Sequence, residues 1–97
     1  MSKGYWFCAY RSIKDPNVLV RYSKLATPVV LAAGGRFLFR GVAEEVREAG
    51  VKDRTVVIEF ETLELAVATY ESKGYQEAIA VLADAAERDF RIVKALD

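Results

Sequence analysis

Glu59 is the side chain of this sequence best placed to do chemistry. It sits in the run Val56-Val57-Ile58-Glu59-Phe60, one carboxylate in an apolar segment. Strand geometry sends successive side chains to opposite faces. Val56, Ile58 and Phe60 then pack on one face, and Glu59 points to the other with Thr55 and Val57. A carboxylate in a partly dry cavity can bind a polar ligand or act as a general base. Arg36 and Arg40 come from the segment Arg36-Phe37-Leu38-Phe39-Arg40. There Phe37 and Phe39 suit the packed face, so Arg36, Leu38 and Arg40 are expected on the side of Glu59. Two arginines so placed could clamp a carboxylate bidentately. Tyr10 is a candidate hydrogen-bond donor to a phenolic or quinone-like ligand. Tyr5, Trp6 and Tyr10 could line an aromatic pocket, and Tyr70 and Tyr75 could form its lip.

Each candidate also has a plainer reading. Glu59 with an arginine can be a structural ion pair at a subunit seam, and that reading takes precedence. Arg36 and Arg40 can be solvated residues of a strand edge. Trp6 and Tyr10 can be core or interface packing. Tyr70 and Tyr75 can plug a helix junction and hydrogen-bond its freed backbone. Cys8 alternates with Trp6 and Tyr10, and nothing near it in sequence would lower its pKa, so it reads as an inert buried thiol.

The composition removes several classes of function. The 97 residues contain no histidine and one cysteine. Serine-histidine and cysteine-histidine catalysis are excluded, as are the usual zinc sites and histidine-ligated haem. No internal disulfide can form. No cofactor or metal is expected. Gly34-Gly35-Arg36 follows a helical pattern and enters a strand, the reverse of a phosphate-binding loop. Fourteen basic and 14 acidic residues cancel, without the concentrated basic patch that nucleic acid requires. No apolar run approaches the ~20 residues of a membrane span. The N-terminal residues lack the pattern of a secretory signal. The expected compartment is the cytoplasm, with no nucleic acid or membrane partner.

The elements that must position these groups follow from the apolar pattern. Residues 4–11 read as a strand. Asp15 can cap a helix with Pro16 at its first position. Val18, Leu19, Tyr22, Leu25, Ala26, Val29, Val30 and Ala33 recur at helical spacing up to Gly34-Gly35. Pro28 is expected to kink this helix near Lys24. Residues 36–40 form a second strand. Residues 42–50 fit a helical turn or a hairpin arm ending at Gly50, and the hairpin is preferred. Arg54 to Glu61 is the third strand. Thr62 can cap a helix from Leu63 to about Glu71, broken by Ser72-Lys73-Gly74. A further helix from about Tyr75 carries Ala78, Ile79 and Leu82, and Phe90 to Ala95 is the last strand.

One domain of β-α-β-β-α-β order results, with the second helix in two pieces. Right-handed crossovers make it a ferredoxin-like α+β fold with an antiparallel sheet in order 4-1-3-2 and helices on one face. That order places the first and third strands in the middle. Both are apolar on both faces: Tyr5-Trp6-Phe7-Cys8-Ala9-Tyr10 and Val56-Val57-Ile58-Glu59-Phe60. Helices enough for one side leave the other to a second copy of the chain. The apolar content, 53%, is high for so small a domain and points the same way.

Lys3-Gly4-Tyr5-Trp6, Gly34-Gly35-Arg36-Phe37-Leu38 with Arg40-Gly41, Val57-Ile58-Glu59-Phe60, and Tyr70-Glu71-Ser72 followed by Tyr75-Gln76 stand in order along the chain. Together they resemble the bacterial domain of unknown function 1330 family, DUF1330. The resemblance implies the dimeric α/β-barrel superfamily, in which two ferredoxin-like sheets pack face to face. It implies no catalytic residue. The superfamily includes cofactor-independent monooxygenases, muconolactone-type isomerases and haem enzymes, and the lack of histidine sets this chain apart from the histidine-ligated ones. Three functions remain open. The first is a homodimer binding a small, partly apolar metabolite in a cleft by the sheet. The second is a cofactor-independent monooxygenase or isomerase with Glu59 as base, Arg36 or Arg40 as anion clamp and Tyr10 as donor. The third is a purely structural or partner-binding dimer.

Overall fold

The structure, a computed structural model, describes residues 2–96. The elements are β1 (Gly4–Ile13), α1 (Pro16–Ala32), β2 (Arg36–Val42), β3 (Arg54–Phe60), α2 (Leu63–Glu71), α3 (Lys73–Leu82) and β4 (Ala86–Lys94). The sheet order is β2-β3-β1-β4, and every neighbouring pair is antiparallel. Read from the other edge this is the expected 4-1-3-2. The two strands apolar on both faces are the central ones. Among the described residues, no helix is long and apolar enough to cross a membrane.

Local chemistry sets the helix ends. The Asp15 carboxylate accepts from the Asn17 and Val18 amides at 3.0 and 3.4 Å, with Pro16 at the first position of α1. α1 runs through Pro28 without a break. Gly34, at φ 81°, takes the left-handed conformation that closes the helix. Thr62 caps α2 by accepting from Leu65 N–H at 3.0 Å. The break between α2 and α3 is narrower than the expected Ser72-Lys73-Gly74. Ser72 alone leaves helical geometry, and its hydroxyl bonds the Thr69 carbonyl and the Tyr75 amide. Gly74 lies inside α3. A Cβ there would meet Val29 Cγ2 of α1 at 2.9 Å. The glycine therefore serves close helix packing rather than the break.

The core lies between the sheet and the helices. Trp6, Phe60, Tyr75 and Val30 are its largest fully buried side chains. Trp6 stacks at 4.8–5.2 Å on Tyr75, Phe60 and Phe90, and its Nε1–H donates to the Ala66 carbonyl at 2.8 Å. One residue thus ties β1 to α2, α3, β3 and β4.

Two segments depart from expectation. Residues 43–53 form no hairpin arm. β2 ends at Val42, and the rest is an irregular loop closed by the Ala43 N–H to Asp53 carbonyl bond at 3.0 Å. Its charged residues offer no apolar alternation for a strand to bury, and Glu48 turns the chain at φ 55°. β4 starts at Ala86, four residues before Phe90. A further irregularity lies in β2. Phe37 pairs with Ile58 but Phe39 pairs with Val57, so Leu38 is an extra residue, a β-bulge.

Replacing Trp6 by alanine is expected to cost about 3–5 kcal/mol, as for large aromatic truncations in packed cores. Urea unfolding followed by far-ultraviolet circular dichroism measures it. A cost under about 1 kcal/mol contradicts the central place given to this side chain.

Candidate functional site

The β2 bulge decides which side chains meet. Before it, Arg36 pairs with Glu59 on the open face of the sheet. After it the alternation is reversed. Phe39 pairs with Val57 and faces outward, 54% exposed, while Arg40 pairs with Val56 and turns to the helix side. The expectation that Arg36, Leu38 and Arg40 share one side and Phe37 and Phe39 the other is therefore corrected. Arg40 lies over the Phe37 ring, 4.5 Å from its centroid.

On the helix side Arg40 joins a cavity between sheet and helices. Its walls are Trp6, Cys8, Tyr10, Phe37, Val56, Ile58 and Phe90 of the sheet, with Tyr22, Ser23, Ala26, Thr27 and Val30 from α1 and Tyr75 from α3. The cavity volume is about 40 Å³. Three arginines converge here: Arg40, Arg54 and Arg88. Arg54 shares a face with Val56, Ile58 and Phe60 by alternation. Arg88 pairs with Tyr10 across β1 and shares a face with Phe90.

Arg88 is the centre of the polar group. Its Nη1 donates to Tyr22 Oη at 3.0 Å and lies 3.4 Å from Tyr75 Oη and 3.8 Å from Cys8 Sγ. The two tyrosine hydroxyls hydrogen-bond each other. The Arg88 guanidinium also lies 5.1–5.8 Å from the Tyr22, Phe90 and Tyr10 ring centroids. Burial pushes the Tyr22 and Tyr75 phenols upward, so both are neutral at physiological pH. Burial likewise raises the Cys8 thiol, which is no ready nucleophile.

The open face carries a different cluster. Glu59 accepts from Tyr5 Oη at 2.9 Å and from Arg36 Nη2 at 2.7 Å, with Lys3 Nζ at 3.8 Å. The Tyr5 hydrogen bond, aided by the Lys3 and Arg36 charges, holds this carboxyl below the usual range against the opposing effect of burial. A carboxylate so held and so fully engaged is a weak proton acceptor.

Of the sequence candidates, the cavity brings together Trp6, Tyr10, Tyr75 and Arg40. Tyr70 packs behind it, against Trp6, Tyr75 and Phe90. Glu59 and Arg36 meet each other on the opposite face. Glu59 and Tyr10 thus stand on opposite sides of the sheet and cannot touch one molecule within a protomer. Tyr22, Arg54 and Arg88 were not among the candidates. Arg54 was readable from the alternation that placed Val56. Arg88 becomes visible only when β4 begins at Ala86.

Comparisons with solved structures agree on the fold. The chain resembles the RPA0582 protein of unknown function from Rhodopseudomonas palustris at 15% identity and a TM-score of 0.72, over 99% of this chain and 84% of that one. It resembles a dimeric ferredoxin-like protein of unknown function from Thermobifida fusca at 14% identity and a TM-score of 0.62, over 97% and 92%. It also resembles SnoaB, a cofactor-independent oxygenase from Streptomyces nogalater, at 10% identity and a TM-score of 0.58, over 99% and 93%. Identities this low speak for the fold alone. No curated protein sequence matches significantly. A family model matches residues 3–96, nearly the whole chain, and the protein belongs to the family described as domain of unknown function, DUF1330.

Proposed function

We propose that this protein is a cytoplasmic homodimer that binds a small, partly apolar molecule in the cleft between its sheet and its helices. The cavity around Arg88 carries the binding reading. It combines apolar and aromatic walls with a few convergent polar groups, the usual make-up of a small-molecule site. Its inner space of about 40 Å³ takes a ligand's head group. The body would lie toward solvent, beside the exposed Arg40. Trp6, Tyr10 and Tyr75 supply contact surface in this reading, and Tyr70 supports them from behind.

The open face supports self-association. Phe39, Val57 and Phe7 form a row across three strands, and the next row runs Arg36, Glu59, Tyr5 and Val93. Phe39 and Val93 are 54% and 47% exposed. Drying such a surface against a copy of itself is favourable. The dimeric description of the Thermobifida fusca relative is in line with this. Glu59, Arg36 and Tyr5 then serve as a hydrogen-bonded charge cluster at the seam.

Sedimentation equilibrium at micromolar concentration is expected to give the mass of two subunits, and Phe39→Glu to weaken the association at least tenfold, on the order of one buried aromatic. A single-subunit mass for the unaltered chain contradicts the dimer. A metabolite screen by thermal shift tests the site. Thr27→Phe, which fills the mouth, is expected to abolish the ligand-induced rise in melting temperature. Glu59→Gln is expected to change dimer stability and leave that rise intact. The reverse pattern would place the ligand at the seam.

A further inference from the structure

The polar lining of the cavity is one-sided. It holds donors that no protein acceptor uses. The Arg54 Nε–H is shielded from solvent and has no hydrogen-bond partner among the described residues. Of the two O–H groups in the Tyr22–Tyr75 pair, one donates to the other, and the second has no acceptor among the described residues. Arg88 uses only Nη1 toward protein acceptors there. The tyrosine oxygens already accept from Arg88.

The charge is one-sided as well. No carboxylate lies within 4 Å of Arg40, Arg54 or Arg88 among the described residues, although six ion pairs form elsewhere. Acidic side chains near these arginines in sequence lie or bond elsewhere: Glu44 and Glu87 are exposed. Asp53 accepts from the Arg54 backbone N–H at 2.7 Å, and Glu45 from Arg47 at 2.6 Å. Asp89 alternates to the opposite face from Arg88 and pairs with Arg91 and Arg11. Three guanidiniums line one cavity without a carboxylate partner, and a buried donor left unmatched is unfavourable. Both defects vanish if the occupant brings acceptors and negative charge.

We propose that the ligand of this cavity is an organic carboxylate with an apolar, aromatic-sized body. The proposal rests on the reading of the cavity as the binding site and names its ligand class. The flat two-oxygen head matches the guanidinium fork of Arg88, the Arg54 Nε–H and the free phenolic proton. The inner volume suits such a head. Phe37 and Phe90, both partly exposed, offer ring surface to the body, and the Arg40 guanidinium closes over it from the Phe37 face.

Benzoate and its neutral near-isostere benzamide separate the ligand class from the site. Binding is measured by calorimetry and by backbone amide shifts in nuclear magnetic resonance, with the full chain. Benzoate is expected to bind at least about tenfold tighter than benzamide, the size of one charge-assisted hydrogen bond. Its amide shifts are expected around Tyr22, Arg54 and Arg88. Arg54→Gln and Arg88→Gln are each expected to reduce benzoate binding to the benzamide level while circular dichroism stays unchanged. If Arg88→Gln fails to fold, Arg54→Gln decides alone. Equal or tighter binding of benzamide with shifts in the cavity overturns the carboxylate and leaves the site standing. Unaltered benzoate binding by Arg54→Gln also overturns it. Shifts confined to Tyr5, Arg36 and Glu59 overturn both.

Discussion

The arrangement depends on one buried-side contact: the Arg88 guanidinium held under the helices by the hydroxyls of Tyr22 and Tyr75. This contact joins the edge strand β4 to α1 and α3. Among the described residues it is made without a carboxylate, so the positive charge is met by hydroxyl dipoles, the Cys8 sulfur and aromatic faces. Such a solution keeps a cation in a half-dry space and leaves room beside it. An aspartate at that point would close the charge and fill the room.

The second determinant is a single extra residue. Leu38 bulges from β2 and exchanges the faces of every residue that follows. Arg40 is thereby delivered to the cavity and Phe39 to the open face. Without the bulge the open face would carry another arginine in place of its most exposed phenylalanine, and self-pairing would be opposed. The same insertion therefore adds a cation to the cavity side and an exposed aromatic ring to the open face. The two faces of the sheet become chemically separate: cations and phenols beneath the helices, an apolar row and an anchored carboxylate on the other side.

Much of this architecture is legible in the residues. Alternation in Tyr5–Tyr10 and Val56–Phe60 marks the two central strands, and Asp15, Thr62 and Gly34 mark helix ends by capping chemistry. The site was less legible, for reasons that are physical. Strict alternation from Arg36 to Arg40 cannot register a bulge, because a bulge is decided by the partner strand and not by the bulged segment. Arg88 lies in Ala86-Glu87-Arg88-Asp89, too polar to read as strand on its own, and it is strand because β1 pairs with it. Lys73-Gly74 looks like a helix break, yet Gly74 answers to Val29 on another helix. The loop at residues 43–53 has no periodic pattern because it buries no face. In each case the missing information was tertiary.

The claim that binding is centred on the helix side of the sheet is tested most directly by the arginine Nε–H resonances of the folded protein as benzoate is added. The account predicts that the Arg54 and Arg88 signals shift and become protected from solvent exchange, while those of Arg36 and Arg91 stay where they were. Movement of the Arg36 signal with Arg54 and Arg88 unaffected would contradict it.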